Sequence, residues 1–555
     1  MVAASTAYRP VRSTTRSIVH KTIISLAAVA ILVGMVLRGY HLDSKTFWGD
    51  ELVGLTHMLG YTEAEIVRAG PTIRTAGDLQ AFFHFAGPRN EGPRPLLATV
   101  QSLASEDPQH PPVYYLLGRL WGAWAGLEPA ALRTLPLLFG LLSIGAMAWL
   151  AFELFRSSRT AMVAASLYAI SPFAVLYAQE ARETTLWALE ILVSSALLLR
   201  AARTASTRSW IAYGLTCAVS LYTYPLTAVV MIAHCLVVGV SPGLRKRAVI
   251  IPYFLASAGA TLAFLPWLII LATTKSGVKA LGVLLANNPS ALEVAIIFMR
   301  DIKATVVDVG VTPTGTLARL GVTITGTTIL AMILYCLARL TVRSSKDTAN
   351  RFILTLFLIP ALPMLLINGG ALIGQLRYLQ PTFIATQLAL AAFYHATFVG
   401  ERSSRAGSFA FAPAYVLILA MSVLSCCINA GADTWYNKAY QRSPKVAAII
   451  NRAEQPLVVG DLAVFNDRGT SRVLELAYDL NPQVAMRVNL HCEACLIEAP
   501  APQDVFADAN QFRSVFVLGV LKRDIPEGPY AVQQIGIDID PVGRGPLEMF
   551  APYPR

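Results

Sequence analysis

Apolar residues in this chain come in long blocks. Runs of roughly 17–25 residues, the length that crosses a hydrocarbon core, recur near 21–38, 131–153, 160–177, 184–202, 209–222, 226–240, 249–271, 318–338, 352–368, 380–398 and 409–427. Each predicts a membrane-spanning helix. A shorter run, 111–126, carries Arg119 with Tyr114, Tyr115 and Trp121, and reads as a helix lying in or near the interface. Beyond residue 430 the pattern changes. Ser443 to Ala453 and Thr470 to Leu480 have helical spacing, while Pro456–Gly460, Gln483–Val488 and Ser514–Leu518 read as strands, an alternation typical of α/β units. The expected fold class is therefore a polytopic α-helical membrane protein with about 11–13 transmembrane helices. It spans residues 1–430, with a small extracytoplasmic α/β domain over 431–555.

Composition supports this class. Of 555 residues, 55% are hydrophobic and 14% charged, where soluble proteins carry about a quarter charged residues. The net charge of +11 is spread in a way that excludes a nucleic-acid partner. Basic residues occupy alternate short loops: Arg9, Arg12, Arg16 and Lys21; Arg245, Lys246 and Arg247; Arg339, Arg343, Lys346 and Arg351; Arg402 and Arg405. Such loops face the cytoplasm. The N-terminus is expected there, and 39–110, 179–182, 272–317, 369–379 and the C-terminal domain outside. The first run has a signal-like basic start but no small-residue cleavage site before Arg38, so it reads as a retained anchor. A bacterial inner membrane is the expected location.

The first outer segment, 39–110, is too long for a simple connector. Thr62-Glu-Ala-Glu65 is a capping box, Ala76 to Phe85 has helical spacing, and Pro88, Pro93 and Pro95 break the stretch. Short interfacial helices are predicted. Segment 272–317 holds one more, near 290–303. No internal repeat appears.

Three charged clusters flank the apolar runs. Trp48-Gly-Asp-Glu51 follows the first, Tyr177-Ala-Gln-Glu-Ala-Arg182 follows a predicted helix from Thr160 to Tyr177, and Gln375-Leu-Arg-Tyr-Leu-Gln380 precedes a late one. Charges at a bilayer face point to function by default. Each also has a plainer reading. Asp50 and Glu51 suit the first turn of a helix running to Leu59. Glu180 and Arg182 would pair and snorkel. Arg377 and Tyr378 would anchor an interface. His110, before Pro111-Pro112, would merely precede a helix whose first turn suits proline. Under the expected topology all of them open on one face, the layout of an active site for an anionic lipid headgroup.

The motifs Trp48-Gly-Asp-Glu51, His110-Pro-Pro-Val-Tyr-Tyr115, Leu132-Arg-Thr-Leu-Pro136, Ser171-Pro-Phe173 with Tyr177-Ala-Gln-Glu-Ala-Arg182, Tyr222-Thr-Tyr224 and Arg377-Tyr378-Leu379 through Pro381 resemble the GT-C superfamily of membrane glycosyltransferases. The resemblance covers roughly residues 20–400. It is nearest the family 39-like branch, which holds protein O-mannosyltransferases and the lipid A aminoarabinose transferase. It implies a polyprenyl-phosphate-linked sugar donor and transfer to an acceptor hydroxyl with inversion. It also implies catalytic roles for Asp50, Glu51 and Glu180, with Asp50 as general base and Glu180 orienting the acceptor or an arginine. His110, Arg182, Tyr177, Arg377 and Tyr378 would bind the lipid phosphate and sugar. Relatives carry a small apolar residue and Tyr after Gln-Glu-Ala-Arg, where Glu183-Thr184 stand here, and Thr-His-Tyr where Thr223-Tyr224-Pro225 stand here. No metal site is assigned and no cofactor is certain. Some members of the superfamily use a divalent metal, which Asp50 with Glu180 would ligate. The acceptor is a glycan, a lipid or a protein.

Two other classes fit a charged membrane cavity: a transporter or flippase of a lipid-linked sugar, and a non-catalytic subunit that binds one. The structured outer loop and the lack of repeats weigh against the transporter. Of the seven cysteines, Cys217, Cys235 and Cys336 read as small hydrophobes. Cys492 and Cys495 suit a local disulfide in an oxidising compartment.

Overall fold

The computed structural model describes residues 12–275, 278, 290–309, 316–343, 347–366, 376–399, 405–432, 435, 443–461, 469–490, 504–518, 532–535 and 549–552. The chain opens with α1 (Arg12–Gly39). A polar segment follows, built from α2 (Gly49–Leu59), α3 (Glu63–Ala69), α4 (Ala76–Gln80), α5 (Leu96–Glu106) and α6 (Val113–Ala125). Next come α7 (Pro129–Phe155), α8 (Ser158–Ala169), α9 (Pro172–Tyr177), α10 (Thr184–Thr204), α11 (Thr207–Thr223), α12 (Thr227–Val240) and α13 (Arg247–Thr273). After α14 (Ala291–Ala304) lie α15 (Thr316–Arg343), α16 (Thr348–Leu366), α17 (Gln380–Tyr394) and α18 (Arg405–Ala430). All eleven long apolar runs fall on helices. Among the described residues, seven helical segments are long and apolar enough to cross a membrane, and the protein is a multi-pass integral membrane protein. The others are short or interrupted. α11 and α12 have 17 and 14 residues, and α16 carries Pro360 and Pro363.

The segment expected as one helix from Thr160 to Tyr177 is two. Pro172 has no N–H and disfavours helical geometry in the residue before it. Ser171 accordingly sits at φ −62°, ψ 122°, extended, and α9 restarts at Pro172. A break within the apolar layer leaves carbonyls without partners, which hydrocarbon does not tolerate. Side chains take them. Buried Arg38 of α1 donates to Tyr168 O at 3.2 Å and to Ala169 O, and Cys426 of α18 donates to Ile170 O at 3.3 Å. Gly34 permits the approach, since a Cβ there would lie 2.2 Å from Ala169 O.

Helix ends sort into two faces. At one, Glu153 binds Arg156 and Arg203 at 3.1 and 3.0 Å, Thr160 meets His395 at 3.0 Å, and Arg351 reaches Val240 O. At the other lie α2 to α6, the turns after α9 and α11, and the start of α17. α6, about 20 Å long at 1.5 Å per residue, buries Tyr114, Tyr115, Gly118 and Arg119 and exposes Leu117, Leu120 and Trp124.

The C-terminal part holds α19 (Ser443–Arg452), α20 (Gly469–Asp479), β1 (Pro456–Asp461), β2 (Ala485–Asn489), β3 (Ser514–Leu518), β4 (Val532–Ile535) and β5 (Met549–Pro552). The sheet order is β2-β1-β3-β5-β4. β1 pairs parallel with β2 and β3, while β5 pairs antiparallel with β3 and β4. One sheet face packs into a core shared with the first polar segment, where Leu52, Ile66 and Leu79 meet Val458, Leu474 and Met486. Backbone bonds reinforce the join, with Met486 N on Arg74 O at 2.8 Å and Ala76 N on Val484 O at 2.9 Å. Cys492 and Cys495 lie outside the described residues, as do Gln375, Lys346 and Arg402.

Candidate active site

The turn before α2 carries adjacent carboxylates in opposite surroundings. Glu51 is buried. Arg133 of α7 grips it with two bonds, Nε to Oε1 at 2.9 Å and Nη2 to Oε2 at 2.7 Å. Glu51 Oε1 also accepts Ala181 N–H at 2.8 Å, and Oε2 accepts Trp48 N–H at 3.4 Å, closing the first turn. Arg133 spends its other donors on Leu42 O, Lys45 O and Thr46 O at 2.8–2.9 Å. A buried charge pair is tolerable only when its remaining donors and acceptors are satisfied in this way. The pair therefore shapes the 42–51 turn and ties it to the 177–183 loop.

Asp50 points elsewhere. Its side chain is 38% exposed and lies 3.2 Å from Arg377 Nη1. Arg377 sits on a 3₁₀ turn, Leu376–Leu379, ahead of α17, and its side chain is 12% exposed. Tyr378 beside it lines an apolar recess with Trp187, Leu226, Val229, Pro363 and Pro381. Tyr224, on the turn after α11, stacks on Trp187 at 4.7 Å and lies 6.1 Å from Tyr378. Tyr378 thus joins the recess to Arg377, its neighbour in the chain, which lies 3.2 Å from Asp50.

The 177–183 loop is held on every side. Gln179 donates to Leu37 O and Tyr40 O at the end of α1 and accepts from Lys45 at 3.1 Å. Thr185 Oγ1 donates to Tyr177 O at 2.7 Å. Glu180 is fully buried, within the field of Arg377. Arg182 donates to Asp50 O at 2.9 Å and to His110 Nε2 at 3.1 Å. Its Nε lies 3.2 Å from Glu183 Oε2. His110 Nδ1 in turn meets Asp107 Oδ2 at 2.8 Å. Burial alone would raise the Asp107 carboxyl, but His110 overrides it and holds the group well below the usual carboxylate range. Burial likewise opposes the charge on Glu183 and on Arg182. Their mutual attraction wins, holding the Glu183 carboxyl down and the Arg182 guanidinium up.

The residues named from sequence thus converge on one helix-end face: Asp50, Glu51, His110, Tyr177, Glu180, Arg182, Arg377 and Tyr378. Arg133 and Glu183 were quoted in motifs without a role and Asp107 was not named, yet the three hold the cluster together. The Asp107-x-x-His110 spacing was the available sign of Asp107. Among the described residues, no group of three or more His, Cys, Asp or Glu is arranged to hold a metal ion.

A family profile described as dolichyl-phosphate-mannose-protein mannosyltransferase matches residues 109–270, a stretch that includes His110, Arg133 and the 177–183 loop. No curated protein matches the chain by sequence. Solved structures share its fold. ArnT from Cupriavidus metallidurans bound to undecaprenyl phosphate is 13% identical, with 96% of this chain and 98% of that chain covered, at a TM-score of 0.52. The same protein in the apo state is 14% identical, with 96% and 97% covered, at 0.50. The archaeal oligosaccharyltransferase AglB from Archaeoglobus fulgidus, in complex with an inhibitory peptide and a dolichol-phosphate, is 12% identical, with 90% and 69% covered, at 0.49. The chain thus shares the fold of ArnT, a membrane protein, over nearly its whole length, and the profile match lies across the site.

Proposed function

We propose that the protein is a glycosyltransferase that moves a sugar from a polyprenyl-phosphate-linked donor to an acceptor hydroxyl, with inversion. The observation that carries this reading is the half-exposed Asp50 carboxylate 3.2 Å from Arg377, beside an apolar recess. Asp50 takes the acceptor's proton as the hydroxyl oxygen attacks the anomeric carbon. The bond from that carbon to the phosphate oxygen breaks, and its electron pair leaves with the polyprenyl phosphate. Arg377 stands where that charge accumulates, and a planar guanidinium suits a phosphate. Entry of the donor phosphate draws Arg377 from Asp50 and frees the carboxylate to act as a base. The recess behind Tyr378 suits the first isoprene units of the lipid. Glu51 shapes the turn that presents Asp50, and buried Glu180 adds negative charge behind Arg377 that orients it. Undecaprenyl phosphate bound to ArnT supports a lipid-phosphate donor.

The reaction is assigned to the outer face of a bacterial inner membrane, with the N-terminus in the cytoplasm. That orientation rests on the basic residues of the opposite helix ends. Residues 1–430 form the catalytic part and 431–555 an outer α/β domain. The acceptor is a glycan, a lipid or a protein. The test is release of polyprenyl phosphate by purified protein in nanodiscs, supplied with polyprenyl-phosphate sugar and a cell-envelope acceptor extract. Asp50→Asn should fold, bind donor and lose about 10²–10⁴-fold of turnover. Near-normal turnover by that variant overturns the mechanism.

A further inference from the structure

His110 and Arg182 were expected to meet the donor phosphate, and their bonding argues for another task. Arg182 is 3% exposed. It has Nη1 on Asp50 O at 2.9 Å, Nη2 on His110 Nε2 at 3.1 Å and on Glu183 Oε1 at 3.3 Å, and Nε 3.2 Å from Glu183 Oε2. Its charge is balanced by a carboxylate with no exposure at all. A phosphate entering here would have to displace Glu183 or add a second anion beside it.

His110 is committed in the same way. Its Nε2 faces Arg182 Nη2 at 3.1 Å and lies 3.6 Å from Glu183 Oε1, and its Nδ1 lies 2.8 Å from Asp107 Oδ2, so both ring nitrogens are already engaged, each beside a carboxylate. Asp107, His110, Arg182 and the Asp50 main chain form one continuous line of hydrogen bonds. Asp107 belongs to the segment before α6, Arg182 to the loop before α10, and Asp50 to the first turn of α2.

We propose that Asp107, His110 and Arg182 are positioning residues that fix the Asp50 main chain in the first turn of α2, and that His110 does not bind the donor phosphate. The line ends on a carbonyl, so it acts on the direction of the Asp50 side chain, leaving its charge alone. Arg377 is then the cation that takes the phosphate. This inference rests on the transferase reading above.

The test compares His110→Ala, His110→Gln and His110→Lys in nanodiscs. Turnover and affinity for polyprenyl-phosphate sugar are measured for each. Gln offers an N–H towards Asp107 and a carbonyl towards Arg182. Lys brings a cation and no acceptor. Loosening a base by about an ångström costs roughly ten- to a hundredfold in rate. His110→Ala should lose that much in kcat with donor affinity unchanged, His110→Gln should recover most of it, and His110→Lys should do no better than Ala. Lost donor affinity in His110→Ala and His110→Gln that is kept in His110→Lys would make His110 a phosphate ligand and overturn the proposal. Unchanged turnover in His110→Ala would overturn it as well. If His110→Ala does not fold, the order of the Gln and Lys variants still decides. If wild type binds donor without transferring sugar, the transferase reading has failed, while the affinity series still shows whether His110 meets the phosphate.

Discussion

Asp50 and Glu51 are neighbours whose removal should have opposite consequences. Glu51→Ala takes away both acceptors of the Arg133 fork and the acceptor of Ala181 N–H. It leaves a guanidinium without exposure and without a counter-charge. Breaking a buried pair from one side costs about 3–5 kcal/mol. The orphaned Ala181 amide would add about 1–3 kcal/mol, partly overlapping with the first figure, so roughly 4–5 kcal/mol is expected. Asp50→Asn keeps the side-chain shape and the main-chain carbonyl that Arg182 binds. It loses the charge of a partly exposed ion pair, worth about 1 kcal/mol or less. Denaturant unfolding in detergent micelles, followed by intrinsic tryptophan fluorescence, reads both, with turnover measured on the same samples. Glu51→Ala should unfold early. Asp50→Asn should unfold like wild type and turn over poorly. Equal destabilisation by the two substitutions, or a stable Glu51→Ala, would refute the division into a shaping carboxylate and a reacting one.

Arg377→Ala should weaken binding of polyprenyl-phosphate sugar by about ten- to a hundredfold, the worth of a charged hydrogen bond, and Arg377→Lys should restore it only in part; equal affinity in all three proteins would remove Arg377 from the phosphate. Orientation can be read with single thiols: Asn90→Cys should react with an impermeant maleimide added outside intact cells and Thr207→Cys should not, and the reverse pattern inverts the topology. Burial holds His57 neutral, its titration lowered to about 4 from 6.5. Between those values the unfolded chain binds the proton and the native one does not, so stability should rise with pH across that window and be lost as pH falls through it. His57→Gln should flatten that limb of the unfolding profile, and an unchanged slope would clear His57.

Much of this architecture is written locally. The apolar runs fall on helices because spanning length and composition need no distant partner. The Thr62 capping box forms because its two members are three residues apart. The break at Ser171 was marked by Pro172, but apolar residues on both sides hid it. Its repair by Arg38, 131 residues away, has no local sign. Arg133 illustrates the same limit. It looked like a motif residue without a task, because its four partner residues lie in 42–51, which only folding brings near. β4 and β5, four residues each, are too short to show a period. The site residues were legible as charges on one face. Which of them pair with each other, and which is left to face a substrate, depended on tertiary contacts.

The turn that carries Asp50 also has a bearing on biosynthesis. Trp435 Nε1 donates to Thr46 O at 2.8 Å, and Gly49 N donates to Glu475, 426 residues further along. At about 5–20 residues per second, a ribosome needs roughly 20 to 90 s to cover that distance. Through that interval the Arg133–Glu51 fork already shapes the turn, and the later segment adds two further bonds to it. A chain cut short by a premature stop after its final apolar helix would therefore keep the fork and lose the clamp of Trp435 and Glu475 on the turn that presents Asp50.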